Sequence, residues 1–307
     1  MFFKTATLFQ LKETVDFDKL EAALAEFPLK EVGSQDEFTF GSLPLIRNSE
    51  TWSLRSGDCL LMRFAKEEKN LPSAVVREAL EEKVAQIELI EGRKVGRKEK
   101  ADIKEELIFT MRPTAYAKRS DVWMHIDNKA GFIAIYSTSA NMIEQSFKHL
   151  QTMLGSFPMM PLQAQVSPSA TMTHWLLIND VPASLETGAT CDIQESQTMD
   201  KASIAFKNLE PLSDDVTRHL QQCMSVKSLA LKLIDPTTIS FVLHDDLTIR
   251  KIKWDDQLKE AAFSHSDGGA LSDLDANFAL TSLTTREFFY SLCAWFEIAA
   301  PEQEQAA

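Results

Sequence analysis

Residues 71–113 read LPSAVVREALEEKVAQIELIEGRKVGRKEKADIKEELIFTMRP, and this stretch decides the architecture. Pro72-Ser73 is a helix-start signal, and Val76, Leu80, Val84 and Ile87 follow at i, i+4, i+8 and i+11 with charged residues at most other positions. That spacing predicts an amphipathic helix of about four turns. Gly92 and Gly96 interrupt it amid Arg93, Lys94, Arg97 and Lys98, after which Ile103, Leu107, Ile108 and Met111 resume the helical period. Pro113 ends the second helix, because proline removes a backbone donor and turns the preceding residue away from helical geometry. Residues 72–112 are therefore expected to form a helical hairpin with a basic tip, its arms about 20 Å long or more at the helical rise.

Upstream, the run around Phe2 to Leu11, then Leu20, Ala23, Leu24 and Phe27 at helical spacing, then Phe38-Thr39-Phe40, read as strand, helix and strand. Downstream, the apolar runs Val122–Asp127 and Phe132–Ser137 flank Asn128-Lys129-Ala130-Gly131, a turn composition that predicts a β-hairpin. Ile143, Phe147, Leu150 and Leu154 mark a helix closed by Gly155. Phe157–Thr171, with Pro158, Pro161 and Pro168, reads as a linker or extended crossing with a boundary near 162.

The remaining chain offers a strand at 202–206, a helix at 213–223, and strand-like runs at 226–233, 238–244 and 247–254. Asp245-Asp246 joins the last two as a turn, a helical pattern runs through Phe288, Phe289, Leu292, Trp295 and Phe296, and a polar tail follows Pro301. The fold class is α+β, with mixed or antiparallel sheets flanked by helices and a projecting helical hairpin. The expected regions are 1–71 with 113–161, the finger 72–112, and a C-terminal α+β region 162–307.

A chain of 307 residues that is 44% hydrophobic can bury a core without disulfides or metal. No stretch approaches the ~20 apolar residues of a membrane span, and Met1-Phe2-Phe3-Lys4-Thr5 lacks the layout of a signal peptide, so cytoplasmic residence is expected. Cys59, Cys191, Cys223 and Cys293 lie far apart with no CxxC pair, which reads as reduced thiols.

Neither GxxxxGK[ST] nor GxGxxG occurs, and the six histidines include no HExxH and no zinc spacing, so no cofactor, metal or catalytic residue is expected. Asp245-Asp246 and Asp255-Asp256 are the one hint of a metal-dependent nuclease, against the plainer reading of turn-forming aspartates.

The net charge of -13 argues against a polyanionic partner, but its distribution matters more than its total. Residues 63–119 hold 14 Lys and Arg against 11 Asp and Glu, leaving 18 against 34 for all the rest. Within 93–119 nine bases face four acids, so a local phosphate-binding footprint is conceivable around Arg93, Lys94, Arg97, Lys98 and Lys100, with a solvated helix face as the alternative. Arg112-Pro113-Thr114-Ala115-Tyr116-Ala117-Lys118-Arg119 places one aromatic among three bases, either exposed for a partner or buried locally. Lys227, Lys232, Arg250, Lys251 and Lys253 punctuate the C-terminal strands, where alternation predicts Lys251 and Lys253 on one face and edge protection competes with DNA contact.

Taken together, Ala65-Lys66-Glu67-Glu68-Lys69-Asn70-Leu71-Pro72-Ser73, the basic hairpin, Arg112-Pro113-Thr114-Ala115-Tyr116, Trp123 to Asp127 and Leu154-Gly155-Ser156-Phe157-Pro158 resemble the RdgC family of recombination-associated proteins. Gly33-Ser34-Gln35-Asp36, Leu229-Ala230-Leu231 and Ile239-Ser240-Phe241-Val242 extend the likeness over nearly the whole chain. The resemblance implies a non-catalytic homodimer closed into a ring by two contacts, which encircles duplex DNA, also binds single strands, shows little sequence preference and restrains RecA-promoted recombination by competing for DNA. It implies nucleoid association, a basic finger-side region that holds Arg93, Lys94, Arg97, Lys98, Lys118 and Arg119, and a place for Tyr116 at the dimer gate, where its hydroxyl must reach water or a partner; with Lys100, Lys227, Lys232, Lys251 and Lys253 from the charge pattern, these bases are the expected DNA contacts. The competing reading is a protein-interaction factor that contacts the recombination machinery directly, with the finger as a docking arm.

Overall fold

Antiparallel pairing organises most of this chain. The computed structural model describes residues 2–195, 202–208, 213–234, 238–264 and 269–299. In chain order the first elements are β1 (Thr7–Leu11), α1 (Phe17–Glu26), β2 (Phe38–Leu43), β3 (Ser53–Ser56), β4 (Cys59–Lys69), α2 (Ser73–Glu91), α3 (Arg97–Met111), β5 (Ala117–Asp127), β6 (Phe132–Ile135), α4 (Ala140–Leu154) and β7 (Met159–Pro161). There follow α5 (Pro168–Ile178), β8 (Leu185–Glu195), β9 (Ser203–Lys207), α6 (Asp214–Gln221), β10 (Met224–Leu233), β11 (Ile239–His244), β12 (Ile249–Trp254), α7 (Asp256–Ser264) and α8 (Ala270–Phe296). The polar tail after Pro301 and His265 lie outside the described residues.

The chain divides into two compact units, a larger one of residues 1–24, 44–63 and 122–307 and a smaller one of 25–43 and 64–121. In the larger unit β7, β1, β6, the second half of β5 and the first half of β4 lie side by side, with β3 on β4. The β5–β6 hairpin pairs Met124 with Ile135 and Asp127 with Phe132, and Gly131 takes the left-handed φ of 68° that its turn demands. The second sheet of this unit has the order β12-β11-β10-β8-β9.

Leu8 of β1, Phe132 of β6, Met172 of α5, Phe241 of β11 and Phe289 of α8 bury into one cluster, with the Phe132 and Phe289 rings 4.7 Å apart. Each such side chain contributes about 1.5–3 kcal/mol by leaving water. Residues on both sides of 162 supply this core, so the boundary expected there falls inside one unit. The expected linker at 157–171 is corrected as well: β7 pairs with β1, and Pro168 is the first residue of α5, capped by Ser167, whose Oγ accepts from the Ala170 amide at 3.4 Å. Proline suits that position because its missing N–H has no helical partner to lose.

Strands β4 and β8 carry no clean period-2 pattern. Cys59, Leu60, Leu61, Met62, Phe64 and Ala65 of β4 are all buried, a run that periodicity alone does not separate from a buried helix. In β8, Gly188 lies where a Cβ would come within 2.8 Å of the Ala230 Cβ on β10. Cys59, Cys191 and Cys293 are buried and Cys223 is exposed, all four as free thiols. Burial pushes the Cys59 and Cys293 thiols up to about 11.

In the smaller unit the second half of β4 lies between β2 and the first half of β5. Its helices α2 and α3 pack as an antiparallel pair around Val84, Val95 and Ile103, flanked by Leu80, Ile87 and Leu107. This apolar seam is thin, and it is the packing that joins the two helices.

Candidate nucleic-acid interface

The tip of the hairpin is built by its glycines and by three acids, Glu88, Glu91 and Glu99. Gly92 ends α2 with a φ of 66°, its amide bonding to the Glu88 carbonyl, and Gly96 starts α3 from extended backbone. Between them Val95 turns inward onto Val84 and Ile103, and its amide donates to Glu88 Oε1 at 3.0 Å.

Arg93 is not a free cation. It donates through Nε to Glu91 Oε2 at 2.6 Å and through Nη1 and Nη2 to the two oxygens of Glu99 at 2.7 and 2.6 Å. Hydrogen bonding from Arg93 holds the Glu99 carboxyl below its usual range. This bidentate clamp spans the loop and ties the end of α2 to the start of α3. Glu99 is the third residue of α3, so the one sequence signal for its clamping role is an acid in the first turn.

Lys94, Arg97, Lys98 and Lys100 are exposed and have no ion pair among the described residues. Three of them occupy the first turn of α3, where cations oppose the positive end of the helix dipole. With Glu99 committed to Arg93, the start of α3 presents exposed positive charge, an arrangement suited to phosphate oxygens. Lys118 and Arg119 are exposed on β5, and Arg119 approaches Glu67 only to 3.8 Å.

Tyr116 is 88% exposed, so the alternative of local burial does not hold. Its carbonyl accepts from the Asn70 amide at 2.8 Å, which pins the backbone while the ring and hydroxyl stand in solvent.

The basic set on the second sheet is arranged by two irregularities. The register shifts between Val226 and Ser228 of β10, beside Lys227, and between the partners of Ser240 and Val242, where Lys251 takes a φ of 52°. The extra residue at 251 lets Ile249 and Trp254, five positions apart, both face the core. It also breaks the alternation predicted to align Lys251 with Lys253: Lys253 sits opposite Ser240, Arg250 opposite Val242, and Lys251 is the bulge.

Lys232 bonds Glu186 at 2.9 Å and is neutralised, whereas Lys227, Lys251 and Lys253 are exposed without an ion pair among the described residues. The far edge of β12 is occupied, since Ile249 exchanges backbone bonds with Ala6 at 2.9 Å and the Ile252 amide donates to Lys4. Edge protection is therefore not what those lysines supply.

The four aspartates do not converge. Asp246 accepts from the Thr248 amide and hydroxyl at 2.9 and 2.6 Å, a turn role, and Asp256 pairs with Lys259 at 2.7 Å. The strand Ile249–Trp254 separates the two pairs by about 20 Å at the usual rise, far beyond a two-metal spacing. Among the described residues no group of three or more His, Cys, Asp and Glu is placed to hold a metal ion, and no helix is long and apolar enough to cross a membrane.

Comparison with known proteins matches residues 1–299 to the family described as "Putative exonuclease, RdgC". The chain is 37% identical over 294 residues to the recombination-associated protein RdgC of Xanthomonas axonopodis pv. citri (strain 306), covering 95% of this chain and 97% of that protein. It is 37% identical over 295 residues to the protein of that name from Xanthomonas campestris pv. campestris (strain B100), covering 95% and 96%. It is 35% identical over 298 residues to the one from Pseudomonas syringae pv. tomato (strain ATCC BAA-871 / DC3000), again covering 95% and 96%.

Proposed function

Because the chain belongs to the RdgC family, we propose that it is a recombination-associated, non-catalytic protein that binds duplex and single-stranded DNA through the phosphate backbone. In this reading a homodimer closes into a ring around the duplex and restrains RecA by occupying its DNA, with no bond made or broken. The observation that carries the DNA part is the cluster Lys94, Arg97, Lys98 and Lys100 at the tip and the start of α3, without an ion pair among the described residues, in a chain that is otherwise acidic. Cations of this kind contact phosphates without reading bases, which accounts for binding with little sequence preference. Lys118, Arg119, Lys227, Lys251 and Lys253 add exposed charge to the same task, Lys232 contributes less because Glu186 neutralises it, and Tyr116 belongs to the dimer gate.

The test is the affinity of the purified protein for a short random-sequence duplex across a salt series. Log K falling linearly with log salt, with a slope of about -0.9 per phosphate neutralised, supports backbone binding. Absence of binding at low salt overturns it and leaves the direct interaction factor as the reading.

A second reading rests on the family's description as an exonuclease. End-labelled duplex incubated with Mg²⁺ or Mn²⁺ tests it. Release of mononucleotides by the wild-type protein with either metal, and none without it, would establish metal-dependent hydrolysis.

A further inference from the structure

We propose that Leu89 and Ile90, at the end of α2, form an aliphatic wedge that enters the base stack of the duplex held by the hairpin tip and unstacks one step. The inference rests on the phosphate-binding reading of that tip and adds to it a contact with the bases. The two side chains are 85% and 83% exposed at adjacent positions in the last turn of α2. Aliphatic side chains scattered singly on a surface are ordinary, but two neighbours both almost wholly in water form a patch with a use. Packing within the hairpin does not need them, since its seam is filled by Val84, Val95 and Ile103. Ala85 and Gln86, one turn before the pair, are also exposed, so an uncharged strip of four residues lies on a helix that has more acids than bases.

The turn that carries the pair is braced. Gly92 closes α2 in the left-handed region, Glu88 accepts from the Val95 amide at 3.0 Å, and Arg93 ties Glu91 to Glu99. The same bonds engage the two carboxylates that flank the pair in sequence, Glu88 and Glu91, which would otherwise repel phosphates. Lys94 follows Ile90 by four residues, and Arg97, Lys98 and Lys100 follow it by seven to ten. Chain length alone keeps the Ile90 and Lys94 backbones within about 14 Å of each other. The minor groove of a duplex is only ~6 Å wide, so cations at that distance reach the phosphates along its rims while the aliphatic pair sits between them.

The combination selects the occupant. A base stack offers an apolar slot bordered on both sides by phosphates, which satisfies the aliphatic pair and the cations together. Unstacking a step is unfavourable, and removal of the two side chains from water offsets it. A lipid surface also takes cations next to aliphatic side chains, but leucine and isoleucine together carry fewer carbons than one myristoyl chain, whose own anchoring is marginal. A wedge of this kind reads no base edge. It senses how firmly a step is stacked, so it favours flexible pyrimidine–purine steps and otherwise leaves binding indifferent to sequence.

The experiment uses the full-length protein and a short duplex with 2-aminopurine in place of adenine at its thymine–adenine steps. Emission of 2-aminopurine, quenched by stacking, reports the wedge, and anisotropy of a fluorescein end label reports binding in the same titration. The expected result is an emission rise of at least about twofold at saturation, most of which is lost in Leu89→Ala with Ile90→Ala while the slope of log K against log salt is unchanged, because no phosphate contact is removed. Lys94→Glu with Arg97→Glu should do the reverse, flattening the slope and keeping the rise once the duplex is saturated. Both wedge positions are exposed and alanine is the stronger helix former, so the wedge variant is expected to keep its Tm. Binding by anisotropy with flat emission overturns this inference alone, whereas absence of binding at low salt overturns the proposed function and the wedge with it. A rise that survives in the Leu89, Ile90 variant also overturns the wedge. The pair is then a contact between copies if the variant shifts sedimentation, or a lipid contact if it stops pelleting with phosphatidylglycerol vesicles.

Discussion

Arg93 and Glu99 face each other across the hairpin tip through two parallel hydrogen bonds of 2.7 and 2.6 Å, which converts the most obvious cation of the basic cluster into a structural clamp. A guanidinium already engaged by two carboxylates has little left to offer a phosphate. Its neighbours Lys94, Arg97 and Lys98 have no such engagement among the described residues.

The first expected outcome follows from that division. Lys94→Glu, Arg97→Glu and Lys98→Glu together should weaken duplex binding at low salt and flatten the salt slope by about 0.9 for each phosphate that is no longer neutralised. Arg93→Ala should leave the slope nearly unchanged and instead speed amide hydrogen exchange at residues 92–96. An equal change of slope from Arg93→Ala would show that the clamp opens on DNA.

Tyr116 contributes little to packing within its own chain, with its ring almost fully in solvent. Tyr116→Ala should therefore leave Tm within about 1 °C of wild type, since surface changes rarely exceed ~0.5 kcal/mol. The same variant should shift the oligomer distribution in sedimentation and alter loading onto closed circular DNA. Loading identical to wild type would remove Tyr116 from the proposed dimer gate.

Asp127 is fully buried and receives Arg286 Nε at 2.5 Å, while Arg286 also donates to Cys59 Sγ at 3.3 Å and Asp127 accepts from the Ala130 amide. Burial pulls the Arg286 guanidinium down, but the bond to Asp127 outweighs it and keeps the group charged. Arg286→Met strands a buried carboxylate, and urea unfolding should show a loss of about 3–5 kcal/mol. Adding Asp127→Asn should recover part of it, as expected when the cost is an unpaired charge. Additive losses would refute that account.

His125 is buried, with Nδ1 2.7 Å from the Tyr136 hydroxyl and Nε2 without a hydrogen-bond partner among the described residues. Burial lowers it from 6.5 to about 4, with Asp127 pulling it up and Arg286 pushing it down. The unfolded chain therefore takes up the proton first as pH falls. Stability from this group is intact above about pH 6.5 and is lost between there and pH 4, a loss of about 3 kcal/mol. His149, lowered to about 4 by burial, acts in the same direction. His125→Phe should flatten the stability profile over that window in urea titrations, and an unchanged profile would show that the imidazole is not protonated on unfolding there.

Gly41 lies against backbone, where a Cβ would come within 2.4 Å of the Leu29 Cα. Gly41→Ala must move main chain, so a loss of more than about 2 kcal/mol is expected in the unfolding of the smaller unit. Gly96→Ala, which meets nothing within 4 Å, is the comparison and should cost only about 1 kcal/mol or less, from the poorer helix N-cap.

Local physics makes much of this legible. The helix period through Val76, Leu80 and Val84, the breaks at Gly92 and Gly96, and the Asn128–Gly131 turn each act over a few residues, so the sequence carries them directly. β4 escapes such a reading because a strand buried on both faces has no alternation, and α5 because Pro168 signals a break and a helix start with the same residue.

By itself the sequence determined that the chain is α+β, that its basic charge concentrates in a helical hairpin, and which family it resembles, because composition, periodicity and motif order are properties of a line of residues. Only the tertiary structure decided that Arg93 is clamped by Glu91 and Glu99, that a bulge at Lys251 takes it out of register with Lys253, and that Tyr116 stands in solvent. Whether a charge is free or spent depends on what lies within about 4 Å of it in space, and that distance is set by packing between residues far apart in the chain.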